Sequence, residues 1–67
     1  MIRLDVPRMN SERCRMTVAD ALLGVDPMAN CYFDTDRGRV AVESKLPPSD
    51  FIEALEEVGY SSFIAQA

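Results

Sequence analysis

Two of the 67 residues are cysteines, Cys14 and Cys31, and none is histidine. Thiol chemistry is therefore the chemistry most open to this chain, and imidazole-based zinc or copper sites are excluded. Cys14 stands where the apolar pattern changes. Leu4 and Val6 alternate with Asp5, the period of a half-buried strand, whereas Cys14, Val18, Ala21, Leu22 and Val25 form a helical stripe. With Ser11 as N-cap, Cys14 takes position N3 of the helix, where free backbone N–H groups and the positive end of the helix dipole favour a thiolate. Arg8, Arg13 and Arg15 flank it, and guanidinium charge is expected to lower the thiol pKa further. Such a thiolate can bind a soft metal ion or attack an electrophile. The plainer alternative is a small residue at a helix start with no chemical role. Ser11 is most simply the cap, since a neutral hydroxyl is a poor ligand for a soft ion. Cys31 reads as a core residue, because buried free cysteine is common.

The elements that must position Cys14 follow in order. Met1 to Val6 reads as a strand with Ile2, Leu4 and Val6 inward, ended by Pro7. A helix is expected from about Ser11 to Leu23, with Gly24 as its C′ residue. Met28 to Phe33 alternates as a second strand, with either Ala29, Cys31 and Phe33 or Met28, Asn30 and Tyr32 buried. Asp34 to Gly38 supplies a hairpin turn into a third strand, Arg39 to Glu43, with Val40 and Val42 inward. Pro47, Pro48 and Ser49 open a second helix that buries Phe51, Ile52, Leu55 and Val58 and ends at Gly59. Tyr60 to Ala65 is a last, weaker strand. The order β-α-β-β-α-β fits an α+β, ferredoxin-like sandwich, a four-stranded antiparallel sheet with two helices on one face. In that topology the loop before the first helix, the β-hairpin and the Gly59-Tyr60 turn share one end. Cys14 and Tyr60 become neighbours, and Cys31 does not complete a site with Cys14.

Composition narrows the function. Residues 1–67 make one domain near the lower size limit for an independent core, with little room for a separate catalytic cleft. There is no histidine base and no paired acid–base constellation, so an enzyme is the least expected class. No apolar run is long enough to span a membrane. Asp5 and Arg8 interrupt what would be a signal peptide, and the expected location is the cytoplasm, where thiols stay reduced. Four of the seven basic residues, Arg3, Arg8, Arg13 and Arg15, precede position 16, while Glu53, Glu56 and Glu57 lie on the second helix. A basic loop end on a chain of net charge −4 can steer an acidic protein partner toward the thiol. Nucleic acid is not an expected partner, since the chain lacks a continuous basic stripe with aromatics.

The run Leu4-Asp5-Val6-Pro7-Arg8-Met9-Asn10-Ser11-Glu12-Arg13-Cys14, with Val18, Ala21, Leu22, Gly24 and Val25 after it, resembles the heavy-metal-associated domain. Ile52 to Tyr60, closing on Gly59-Tyr60, is similar to that family's second helix, so the resemblance covers nearly the whole chain. The family includes copper chaperones, domains of metal-transporting ATPases and the appended domain of mercuric reductase. Its usual loop is G-M-x-C-x-x-C, in which two thiolates clasp Cu(I) or Hg(II). Met9 and Cys14 match that loop; Arg8 stands at its glycine and Ser11 at its first cysteine. At Met9 the family's methionine usually packs under the loop, although a thioether can also ligate. The resemblance implies a module for Cu(I) or another thiophilic ion, with Cys14 as ligand and Ser11 marking the lost one. The second sulfur would come from a partner such as a metal-transporting ATPase domain, from a second copy in a metal-bridged dimer, or from a small thiol. The other reading is a metal-free interaction or regulatory domain on the same scaffold.

Overall fold

The computed structural model describes residues 1–65. Its elements are β1 (Ile2–Asp5), α1 (Glu12–Val25), β2 (Asn30–Asp34), β3 (Arg39–Glu43), α2 (Pro48–Glu57) and β4 (Phe63–Ile64). The strands pair antiparallel in the order β2-β3-β1-β4. Both helices lie against one face, giving the ferredoxin-like sandwich expected from the element order.

Side-chain alternation decides the inward face. Leu4, Val40 and Val42 are buried, and in β2 Cys31 and Phe33 turn toward the core while Asn30, Tyr32 and Asp34 face solvent. That settles the choice the sequence left open for β2. The helices contribute Val18 and Leu22 from α1 and Phe51 and Leu55 from α2, pairs four residues apart on one helical stripe. Together with Val6, Met9 and Ala29 these residues form one core.

Several boundaries differ from the pattern-based expectation. Helix α1 does not stop at Leu23 with Gly24 beyond it; it runs through Gly24 to Val25. Asp26 ends it, extended at φ −142° and ψ 98°, as a residue preceding Pro27 must be. Its carboxylate then fixes the next turn, accepting from the Met28 amide at 3.0 Å and from the Ser44 hydroxyl at 2.6 Å. The Ala29 amide donates to the Asp26 carbonyl at 3.0 Å, so β2 starts at Asn30 rather than Met28. Val58 is exposed rather than buried, because α2 ends at Glu57 and Val58 leaves the helical path at its cap. The last strand is only Phe63–Ile64, not Tyr60 to Ala65, and the first begins at Ile2 and ends at Asp5. No helix among the described residues is long and apolar enough to cross a membrane.

Candidate functional site

Ser11 has extended backbone, and its Oγ accepts from the Cys14 amide at 3.3 Å, so Cys14 occupies N3 of α1 as the cap spacing requires. The strand before it brings Pro7 to Asn10 across the same end of the molecule, and α2 delivers Val58, Gly59 and Tyr60. Pro7, Arg8, Asn10, Cys14, Val58, Gly59 and Tyr60 line one open concavity. The sulfur of Cys14 lies 4.0 Å from Asn10 Oδ1. Cys14 and Tyr60 meet, as the topology predicted.

The thiol pKa of Cys14 is lowered, first by a hydrogen bond from the Ser11 hydroxyl and then by one from Tyr60, with the backbone N–H groups of Asn10 and Ser11 adding to the effect. Tyr60 moves the opposite way, because its hydroxyl proton is held by the Cys14 sulfur. The expected further lowering by the arginines is therefore corrected. The arginines are not among its causes. The Arg15 guanidinium is engaged by Glu12, with one nitrogen 3.0 Å from Oε2, and lies 5.4 Å from the centre of the Phe33 ring. Arg8 and Arg13 are exposed, with no ion pair among the described residues.

The remaining candidates separate cleanly. Met9 is wholly buried in the core beneath the loop, which places it in packing. Met16 and Met28 are on the surface. Cys31 is half-buried and free, and burial pushes its thiol up, with the nearby Asp26 carboxylate acting in the same direction. It pairs with Val42, which pairs with Ile2. Cys31 therefore sits level with the start of β1, and Cys14 follows its far end. The two thiols do not form one site. No group of three or more His, Cys, Asp or Glu side chains that could hold a metal occurs among the described residues. Sequence reasoning missed Asn10. Its signal was an amide side chain immediately before the cap, one helical turn from Cys14.

These thiol shifts give a testable order of reactivity. Alkylation requires thiolate, so its rate rises with pH through each thiol's pKa. Cys14 should reach its plateau at lower pH than a free thiol and Cys31 at higher pH, so Cys14 labels first in the folded protein at neutral pH. Peptide mapping of labelling against pH reads both. Faster labelling of Cys31 would reverse the assignment of the two thiols.

The heavy-metal-associated domain model matches residues 3–61. The chain belongs to that family. No curated protein matches this member. Its fold is similar to that of the copper chaperone Atx1 from Synechocystis PCC6803, solved as a trimeric Cu1 form of a His61Tyr mutant. The likeness has 27% identity and a TM-score of 0.89, covering 94% of this chain and 100% of the other. A gold binding protein superposes with a TM-score of 0.92 at 23% identity, over 97% of this chain and 100% of the other. Oxidized MerP from Ralstonia metallidurans CH34 gives 0.83 at 24%, over 97% and 94%. At those two identities the likeness is one of fold. The heavy-metal-associated domain here carries its half-buried, hydrogen-bonded thiol at the loop end of that fold.

Proposed function

We propose that this heavy-metal-associated domain binds and hands on a soft metal ion of the Cu(I) type, with Cys14 as its thiolate ligand. The observation that carries the reading is the set of donors around the Cys14 sulfur at an open tip, from Ser11, Tyr60 and the loop amides. They favour the anion that a soft ion selects. Ser11 occupies the position of the family's first cysteine, so the loop offers one sulfur where two would close a site. The second ligand comes from another molecule: a partner, a second copy of the chain or a small thiol. A shared site suits transfer, since the ion is never enclosed by one chain. The module acts as a carrier of its metal cargo and not as an enzyme.

Exposed Arg8 and Arg13 at the loop end would guide an acidic partner, such as a domain of a metal-transporting ATPase, onto the thiol. The single loop thiolate also supports a second reading, a metal-free interaction or regulatory domain. Native mass spectrometry of the reduced protein with one equivalent of Cu(I) separates the two. Retention of copper by the parent and by Cys31→Ser, with loss in Cys14→Ser, is the expected result. No retained copper in the parent, with or without added small thiol, would favour the metal-free module.

A further inference from the structure

We propose that Gly38, at the tip of the β2–β3 hairpin, is a positioning residue for the thiol loop, fixing through Val6 where Pro7 to Asn10 lie against Cys14. The observation begins with contact. Gly38 is buried, its φ is +64°, and a Cβ built on it would fall 2.9 Å from the Val6 carbonyl oxygen and 3.4 Å from Pro7 Cα. A side chain is therefore excluded twice, by backbone conformation and by the neighbouring chain. The hairpin reaches β1 at the residue where the strand becomes the loop.

Both ends of the Val6 link are held. The Val6 amide donates to the Gly38 carbonyl at 2.6 Å, and the Val6 carbonyl accepts from the Met9 amide at 2.9 Å. Val6 and Met9 are wholly buried, so neither can move without disturbing the core. Asn10, next in the chain, lies against the Cys14 sulfur. The path from hairpin to thiol thus runs Gly38, Val6, Met9, Asn10, Cys14, entirely through backbone bonds and one side chain. Displacing the Val6 carbonyl shifts the loop while leaving α1, which carries Ser11 and Cys14, in place. The hairpin is in this way part of the site without touching the metal cargo.

The test compares Gly38→Ala and Gly38→Asn with Val42→Ala. Asparagine tolerates positive φ but brings the same Cβ, so it isolates the contact with Val6. Val42 is buried and pairs with Ile2, at the end of β1 away from the loop, so its truncation lowers stability without touching Val6. Amide exchange and 15N shifts read the loop directly, and Cu(I) competition reads the site. Both Gly38 variants should speed exchange of the Val6 and Met9 amides and weaken Cu(I) binding by about tenfold, the scale of lost support behind a ligand. Val42→Ala should leave the loop shifts and Cu(I) affinity unchanged after correction for global stability. The Cu(I) arm rests on the proposed metal reading, whereas the amide arm does not; a parent that binds no Cu(I) refutes that reading while the amides still decide the role of Gly38. Loop amides unaffected in Gly38→Asn, or altered equally in Val42→Ala, would overturn the proposal. So would failure of both Gly38 variants to fold under conditions where Val42→Ala folds, since Gly38 would then serve global stability alone.

Discussion

Ser11→Cys is expected to raise Cu(I) affinity by about 10²- to 10⁴-fold, because the second sulfur then comes from the same loop and binds at high effective concentration. Residues three apart at a helix start share a face, and Ser11 Oγ already lies 3.3 Å from the Cys14 amide. The loop need not be rebuilt to accept the change. The described residues include no non-glycine residue at positive φ, so Arg8 sits in ordinary backbone. The same substitution has a cost of opposite sign. It removes the hydroxyl that caps α1, worth about 1 kcal/mol, or a fall in Tm of about 4–8 °C for so small a domain. Bound metal should more than recover this, by mass action on the folded state. Competition against a Cu(I) chelator measures the first effect, and melting with and without Cu(I) the second. Equal affinities for parent and variant would mean that the two positions no longer converge on one ion.

The parts of this site that sequence made legible are those governed by local rules. Ser11 three residues before Cys14 is a cap and its N3 partner, and the change from alternation to helical stripe locates the loop between them. Topology then brings Tyr60 to Cys14. What the pattern could not weigh was competition between local signals. Gly24 looks like a helix terminator, yet Pro27 decides the end by forcing Asp26 to extend, and Asp26 supplies its own turn bonds to Met28 and Ser44. Val58 continues the stripe of Phe51 and Leu55, yet the helix stops one residue earlier and leaves it at the rim of the site. Charge was the least legible feature. Arg15 counts as a cation near Cys14 in the sequence, while in the fold Glu12 and Phe33 occupy it. Gly38 reads as a turn residue, and only tertiary contact reveals what its missing side chain makes room for.

The protein is expected to be a monomer when reduced and metal-free, and to form a Cu(I)-dependent dimer at high protein concentration that Cys14→Ser abolishes. A single thiolate at an open tip reaches two-sulfur coordination only with a second sulfur, and the simplest donor is Cys14 of another copy across a two-fold contact. Charge opposes this approach, because Arg8 and Arg13 of each copy face their counterparts. The opposition is smaller than the three arginines of the sequence suggest, since Glu12 engages Arg15. Exposed Glu56 and Glu57, in the last turn of α2 just before the site, add compensating charge near the same end. Two thiolates around Cu(I) are net negative, so metal draws the remaining arginines inward where the empty loops repel. The dimer should accordingly be weaker at low salt and strengthen toward 0.1 M, where a Debye length of about 10 Å screens the arginine pairs while leaving the bonded centre intact. Sedimentation of parent and Cys14→Ser, with and without Cu(I), across salt gives the answer. A copper-induced dimer that persists in Cys14→Ser would exclude the bridge, and a parent that stays monomeric throughout would assign the second ligand to a different molecule.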